Sequence, residues 1–302
     1  MPVLFGALAW QAVVIAHASD RSTAEVISQL TRDDARVAGL FRAFPWLTDI
    51  YRDPMWQEVV LDAPRIPGTP WQVHDLLRPP PARVQSDPQY CRDPVAAPAG
   101  ARVIFDGTDL SAFAITDPQE WRIDRAQLLP ANRVPNRLAS REHFADVHLH
   151  IEFMLPADST AHWQYRGNSG VFLMERYEIQ ILDSWDNPTY PDGQAAALYG
   201  QRPPLVNASR PPGFWQCYDI FFTPPRFDRR RLREPARVTL LHNGVVVHNN
   251  ARFLGPTRFA RIGTYEPHAP ALPFTLQDHG DGSAAVRFRN IWALPLPAAE
   301  PR

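Results

Sequence analysis

The stretch 147–155 limits most strictly what this chain can become. Val147, Leu149, Ile151, Phe153 and Leu155 alternate with His148, His150, Glu152 and Met154. A strict period of two puts one apolar row on one face of a β-strand, a pattern that no helix reproduces. A strand needs partners, and the chain after Gly100 offers them. Shorter candidates lie at 102–106, 121–124, 170–175, 177–182, 195–199, 214–223, 237–242, 245–248, 274–277 and 286–294. Asn243-Gly244 makes a hairpin turn between two of these. No helix of ordinary length is predicted beyond Gly100. Many short strands separated by turn residues predict an all-β antiparallel sandwich or jelly roll over 101–297, followed by a short tail at 298–302.

The region before Gly100 reads differently. Residues 22–44 carry a helical period opened by Ser22-Thr23-Ala24-Glu25, which has capping-box spacing, and Pro45 ends it. Pro45-Trp46, Pro54-Met55-Trp56, Pro70-Trp71 and Arg78-Pro79-Pro80-Pro81 then predict an extended arm lying over the main domain, with a boundary near Gly100. Residues 3–18 are mostly apolar and close on Ala16-His17-Ala18 before Ser19. This is either a secretory signal ahead of its cleavage site or a helix packed on the domain. No other segment is long and apolar enough to span a bilayer.

Bulk properties exclude several function classes. A net charge of -1 gives no electrostatic case for nucleic acid or an anionic membrane surface. Every strong base is arginine, because the sequence contains no lysine. That excludes a Schiff-base lysine, a P-loop lysine and pyridoxal chemistry of the usual kind. Cys91 and Cys217 form no framework or metal cluster. They could pair, but separate buried thiols are the expectation.

Three groups of residues could carry chemistry. The first is Glu178-x-Gln180-x-x-Asp183, beside the polar turn Gly167-Asn168-Ser169-Gly170. It is similar to the Glu-x-Asp-x-x-Glu strand of laminarinase-type jelly-roll endoglucanases, with Gln in the middle and Asp at the end. A two-carboxylate glycosidase holds its carboxyl groups about 5 to 9.5 Å apart. Five residues of strand span about 16 Å, and odd spacing turns the two ends to opposite faces. The alternative is a polar strand face with Asp183 capping a turn. The second group, His148-x-His150-x-Glu152, has ligand types that suit zinc or iron, but the wet face of a half-exposed strand is the expectation. The third is the loop Asp278-His279-Gly280-Asp281-Gly282, either a histidine–carboxylate base or a turn with an incidental histidine.

Taken in order, Phe105-Asp106-Gly107, Asp109-Leu110, Trp121, Gly167-Asn168-Ser169-Gly170-Val171, Tyr177 to Asp183, Tyr199-Gly200, Trp215, Asn243-Gly244 and Arg289-Asn290-Ile291-Trp292 resemble the 3-keto-disaccharide hydrolase domain family. The likeness runs through residues 102–296. Upstream, Val73-His74-Asp75 with Arg78-Pro79 is similar to the lead-in of a longer variant. The resemblance implies a concanavalin-like sandwich, a periplasmic or secreted setting, and cleavage of glycosides already oxidised at C3.

Such chemistry needs one base at C2, an acid for the leaving oxygen and donors for the enolate, without a matched carboxylate pair. Glu178 or His279 is then the expected base, with Asp183 as acid or orienting group. Asn168, Gln180, Tyr199, Asp278 and His279 are expected around the sugar, with Trp215 stacked on it; Tyr199 and Trp215 could equally be core aromatics. No cofactor is expected. The sequence has no dinucleotide fingerprint, so a separate oxidoreductase would supply the keto sugar. Two other readings are a lectin-like binding module and a surface protein docking through its Trp/Pro arm.

Overall fold

The computed structural model describes residues 22–297 apart from 33, 116, 118 and 281–284. The predicted signal segment, the tail, Asp281 and Gly282 therefore lie outside the described residues. The chain forms two compact units, one of residues 1–79 with 259–261 and one of 80–258 with 262–302.

The first unit is helical: α1 (Thr23–Arg32), α2 (Ala35–Ala43), α3 (Leu47–Ile50) and α4 (Pro54–Asp62). The predicted capping box forms at α1. Ser22 N–H donates to Glu25 Oε2 at 2.7 Å, and Glu25 N–H donates to Ser22 Oγ at 3.3 Å. The predicted single helix over 22–44 is in fact two. Asp34 is extended and its carboxylate accepts from the N–H groups of Arg36 and Val37, so it starts a new helix where the old one ends.

The second unit is an antiparallel jelly-roll β-sandwich, as predicted. In chain order the strands are β1 (Arg102–Phe105), β2 (Phe113–Ala114), β3 (Trp121–Asp124), β4 (Gln127–Pro130), β5 (Asn136–Ser140) and β6 (Val147–Met154). Next come β7 (Ser169–Leu173), β8 (Tyr177–Ile181), β9 (Trp215–Thr223), β10 (Arg226–Asp228) and β11 (Arg231–Glu234). The last are β12 (Arg237–His242), β13 (Val245–Arg252), β14 (Thr257–Arg258), β15 (Arg261–Ile262), β16 (Thr275–Asp278) and β17 (Arg287–Pro295).

The larger sheet runs β13-β12-β9-β6-β17-β4-β3, with β1 also on β17, and the smaller runs β2-β5-β16-β7-β8. The core lies between them. Leu149, Ile151 and Phe153 of β6 and Tyr218, Ile220 and Phe222 of β9 join Leu138, Val171, Leu173, Ile179, Ile181 and Leu276 in one buried cluster. The predicted strand at 195–199 is reduced to isolated bridges, from Leu198 to Ile179 and to Arg202. Ala196 has a φ of +65°, which breaks the extended run, and its N–H donates to the Tyr218 hydroxyl at 2.7 Å.

The other face of β6 is not wet. His148 and His150 both meet Asp219 Oδ1, at 3.1 and 2.8 Å, and the second nitrogen of His150 lies 3.4 Å from Glu152. With Asp219 and Glu152 on its two nitrogens, His150 has none left for a metal. Burial works against the Asp219 charge, yet hydrogen bonds from both histidines hold its carboxyl well below the usual range.

Residues 86–95 cross this face as a strap. Cys91 and Cys217 form a disulfide with Cα atoms 6.1 Å apart, which overturns the expectation of separate thiols. Val95 N–H donates to Glu152 Oε1 at 2.8 Å, Tyr90 hydroxyl to Asp219 at 3.0 Å, and Arg289 to the carbonyls of Cys91 and Arg92.

Candidate active site

The smaller sheet turns its alternate side chains away from the core. Leu138, Val171, Ile179, Ile181 and Leu276 pack inward. The pleat therefore sends Arg137 of β5, Thr275 and Gln277 of β16, Gly170 and Phe172 of β7, and Glu178 and Gln180 of β8 to the opposite face. Pairing aligns them: Phe172 sits opposite Glu178, Gly170 opposite Gln180, and Arg137 opposite Gln277.

Glu178 is the centre of this face. It is 5% exposed, and burial pushes its carboxyl up to about 8, with the Arg137 charge opposing the rise. A Cβ on Gly170 would come within 2.5 Å of Glu178 Oε1, so the missing side chain is what lets the carboxyl lie across β7. The Arg137 guanidinium stacks 3.5 Å from the centroid of Phe172 and donates to Glu175 O at 3.2 Å. This fixes a cation beside the acid.

Gln180 continues the row. Its Nε2 donates to Gln164 Oε1 at 3.3 Å and Asn168 Oδ1 at 3.2 Å. With the amide turned over, the nitrogen would instead face Glu178 Oε1 at 3.2 Å and Ser169 O at 3.0 Å. Asn168 is held from the turn by its own Nδ2, which donates to Gln164 O at 2.6 Å. Tyr199 N–H donates to Glu178 O at 3.3 Å, and its hydroxyl lies 2.9 Å from that of Tyr190. Burial and the nearby Glu178 and Asp192 keep Tyr199 neutral across the physiological range, although the Tyr190 hydrogen bond works the other way.

Extending the β16–β7 register one step past each strand brings His279 level with Asn168, at one end of this face. His279 follows β16 directly and is half-buried.

Three other expected residues sit elsewhere. Asp183 is 1% exposed, forms an ion pair with Arg166 Nε at 2.7 Å and accepts from Trp185 N–H. Burial raises its pKa and Arg166 opposes this. Its carboxylate braces the chain leaving β8, as the odd spacing from Glu178 predicts. Asp278 faces the other way and accepts from Asn132 N–H, Asn136 Nδ2 and Gly280 N–H, which ties its loop. Trp215 belongs to the larger sheet, with the Arg289 guanidinium 4.1 Å from its ring centroid.

Sequence reasoning missed Arg137, Gln164 and Tyr190. Arg137 lies on a strand with Leu138 as its one large apolar residue, too weak a period to detect. Gln164 stands in the short turn Trp163–Tyr165, held by Thr189 and Gly193.

The family model of the 3-keto-alpha-glucoside-1,2-lyase-like domain matches residues 100–294. A solved candidate glycosyl hydrolase from Parabacteroides distasonis ATCC 8503 is 40% identical, with a TM-score of 0.63 over 66% of this chain and 85% of that one. A second from the same organism is 15% identical, with a TM-score of 0.48 over 66% and 95%. No curated protein matches. The family and the 40%-identical relative put this chain among carbohydrate-acting proteins.

Proposed function

We propose a glycoside-cleaving function from one premise: this chain belongs to the 3-keto-alpha-glucoside-1,2-lyase-like domain family. The substrate is a glycoside already oxidised to a ketone at C3. The observation that carries this reading is Glu178, a buried carboxyl raised to about 8 and set beside Arg137 and Gln180. Its expected partner for direct displacement, Asp183, is tied to Arg166.

The ketone acidifies the hydrogen on C2. Ionised Glu178 removes that proton, and the electron pair moves toward the C3 oxygen as an enolate. The pair then returns to form the C1–C2 double bond as the C1–oxygen bond breaks. Arg137 and the Tyr199 phenol are donors for the enolate. His279 supplies the proton that the departing alcohol needs, and Asn168 and Gln180 hold sugar oxygens. Water adding across the new double bond would complete a net hydrolysis. A separate oxidoreductase makes the ketone. The Cys91–Cys217 disulfide supports an exported, oxidising setting.

The test incubates the protein with a 3-keto-disaccharide and with its unoxidised parent, using Glu178→Gln as control. Release of the aglycone from the keto sugar alone is expected. No cleavage of the keto sugar would sink the enzyme assignment, and equal cleavage of both would replace elimination with ordinary glycosidase chemistry.

A further inference from the structure

We propose that a groove formed by residues 83–92, Trp185 and residues 209–215 binds a neutral oligosaccharide, independently of the Glu178 face. The groove encloses about 710 Å³, within the range of small-molecule sites (about 300–1,000 Å³), and shares no lining residue with that face. Three aromatic side chains line it. Trp185 and Trp215 are half-buried, and Phe214 at the rim is 60% exposed. The C–H faces of a pyranose ring are apolar and weakly positive, so they lie well on the negative faces of such rings.

The groove is a built site. The Arg210 guanidinium joins its walls, donating to Ser86 Oγ and to the carbonyls of Asp87 and Tyr90 on one side and Trp215 on the other. The Cys91–Cys217 disulfide locks the strap that forms one wall. The Arg83 guanidinium, 4.2 Å from the ring centroid, holds Trp185.

Two observations select the ligand. Ser209 lines the groove at 3% exposure, and its hydroxyl has no hydrogen-bond partner, so a ligand hydroxyl would satisfy it. Gln85 and Gln89 add exposed amides suited to further hydroxyls. The lining cations are already engaged. Arg83 pairs with Asp186 at 2.5 Å, Arg92 with Asp93 at 3.3 Å, and Arg210 is spent on carbonyls. Asp186 and Asp93 beside two of these cations offset their pull on an acidic sugar.

The experiment titrates the full chain carrying Glu178→Gln, which suppresses turnover, with cellotetraose, xylotetraose, maltotetraose and trigalacturonate by calorimetry. Saturable binding of at least one neutral tetrasaccharide is expected. Adding Trp185→Ala or the exposed Phe214→Ala should weaken it at least tenfold, with circular dichroism unchanged. Absence of neutral-sugar binding, binding of trigalacturonate alone, or binding unaffected by both substitutions would overturn the proposal.

Discussion

At the scale of single residues, Glu178 sets two pH dependences that run in opposite directions. Burial favours its neutral form, so from the ordinary value of 4.5 up to about 8 the folded chain keeps a proton that the unfolded chain has lost. Its contribution to stability is thus fully present below 4.5 and lost as pH rises through about 8. Thermal melts from pH 4.5 to 8.5 should show the wild type losing ground steadily to Glu178→Gln. Parallel melting curves would count against the buried acid. Activity runs the other way, because only the ionised form abstracts a proton. The kcat/KM for a 3-keto substrate should climb as pH rises toward about 8 and Glu178 ionises, and Glu178→Gln should lower it by about 10²-fold or more. Glu178 and Gln180 were legible in the sequence because a polar residue facing out of an apolar strand shows in the alternation, and Asn168 because it stands in a polar glycine-led turn. Arg137 and Tyr190 were not, since what brings them there is pairing between distant segments.

At the scale of elements, the β7–β8 hairpin works because one strand leaves out a side chain where the other needs space. Gly170→Ala keeps the strand but puts a methyl group onto the Glu178 carboxyl, 2.5 Å from Oε1. Activity should fall by about tenfold or more, while the melting point moves by only a few degrees; unchanged kcat/KM would show that the carboxyl tolerates another position. The long strands were readable for the reason that β6 was: their period survives any partner. Short strands such as β5 hold too few apolar residues to declare themselves. The split of the 22–44 helix turned on one cap, Asp34, which a propensity reading passes over. The polar face of β6 read as wet because alternation reports two faces and does not say what covers the second.

At the scale of the whole molecule, the strap and its disulfide join residues 126 apart in sequence. Crosslinks over loops of this size stabilise by about 2–5 kcal/mol, mainly by restricting the unfolded chain. Dithiothreitol or Cys91→Ser should therefore lower the melting temperature by several degrees at constant pH. No change would mean that the hydrogen bonds from Tyr90, Val95 and Arg289 suffice without it.

The same separation dictates an order of events during synthesis. Cys91 emerges from the ribosome long before its partner, and every strand from β1 to β8 is made in the interval. The strap must wait, unpaired, until β9 arrives to receive it. A thiol that waits this long is open to a premature crosslink with a second nascent chain. Expression where disulfide isomerisation is weak should therefore yield covalent dimers that reducing gels resolve into monomers.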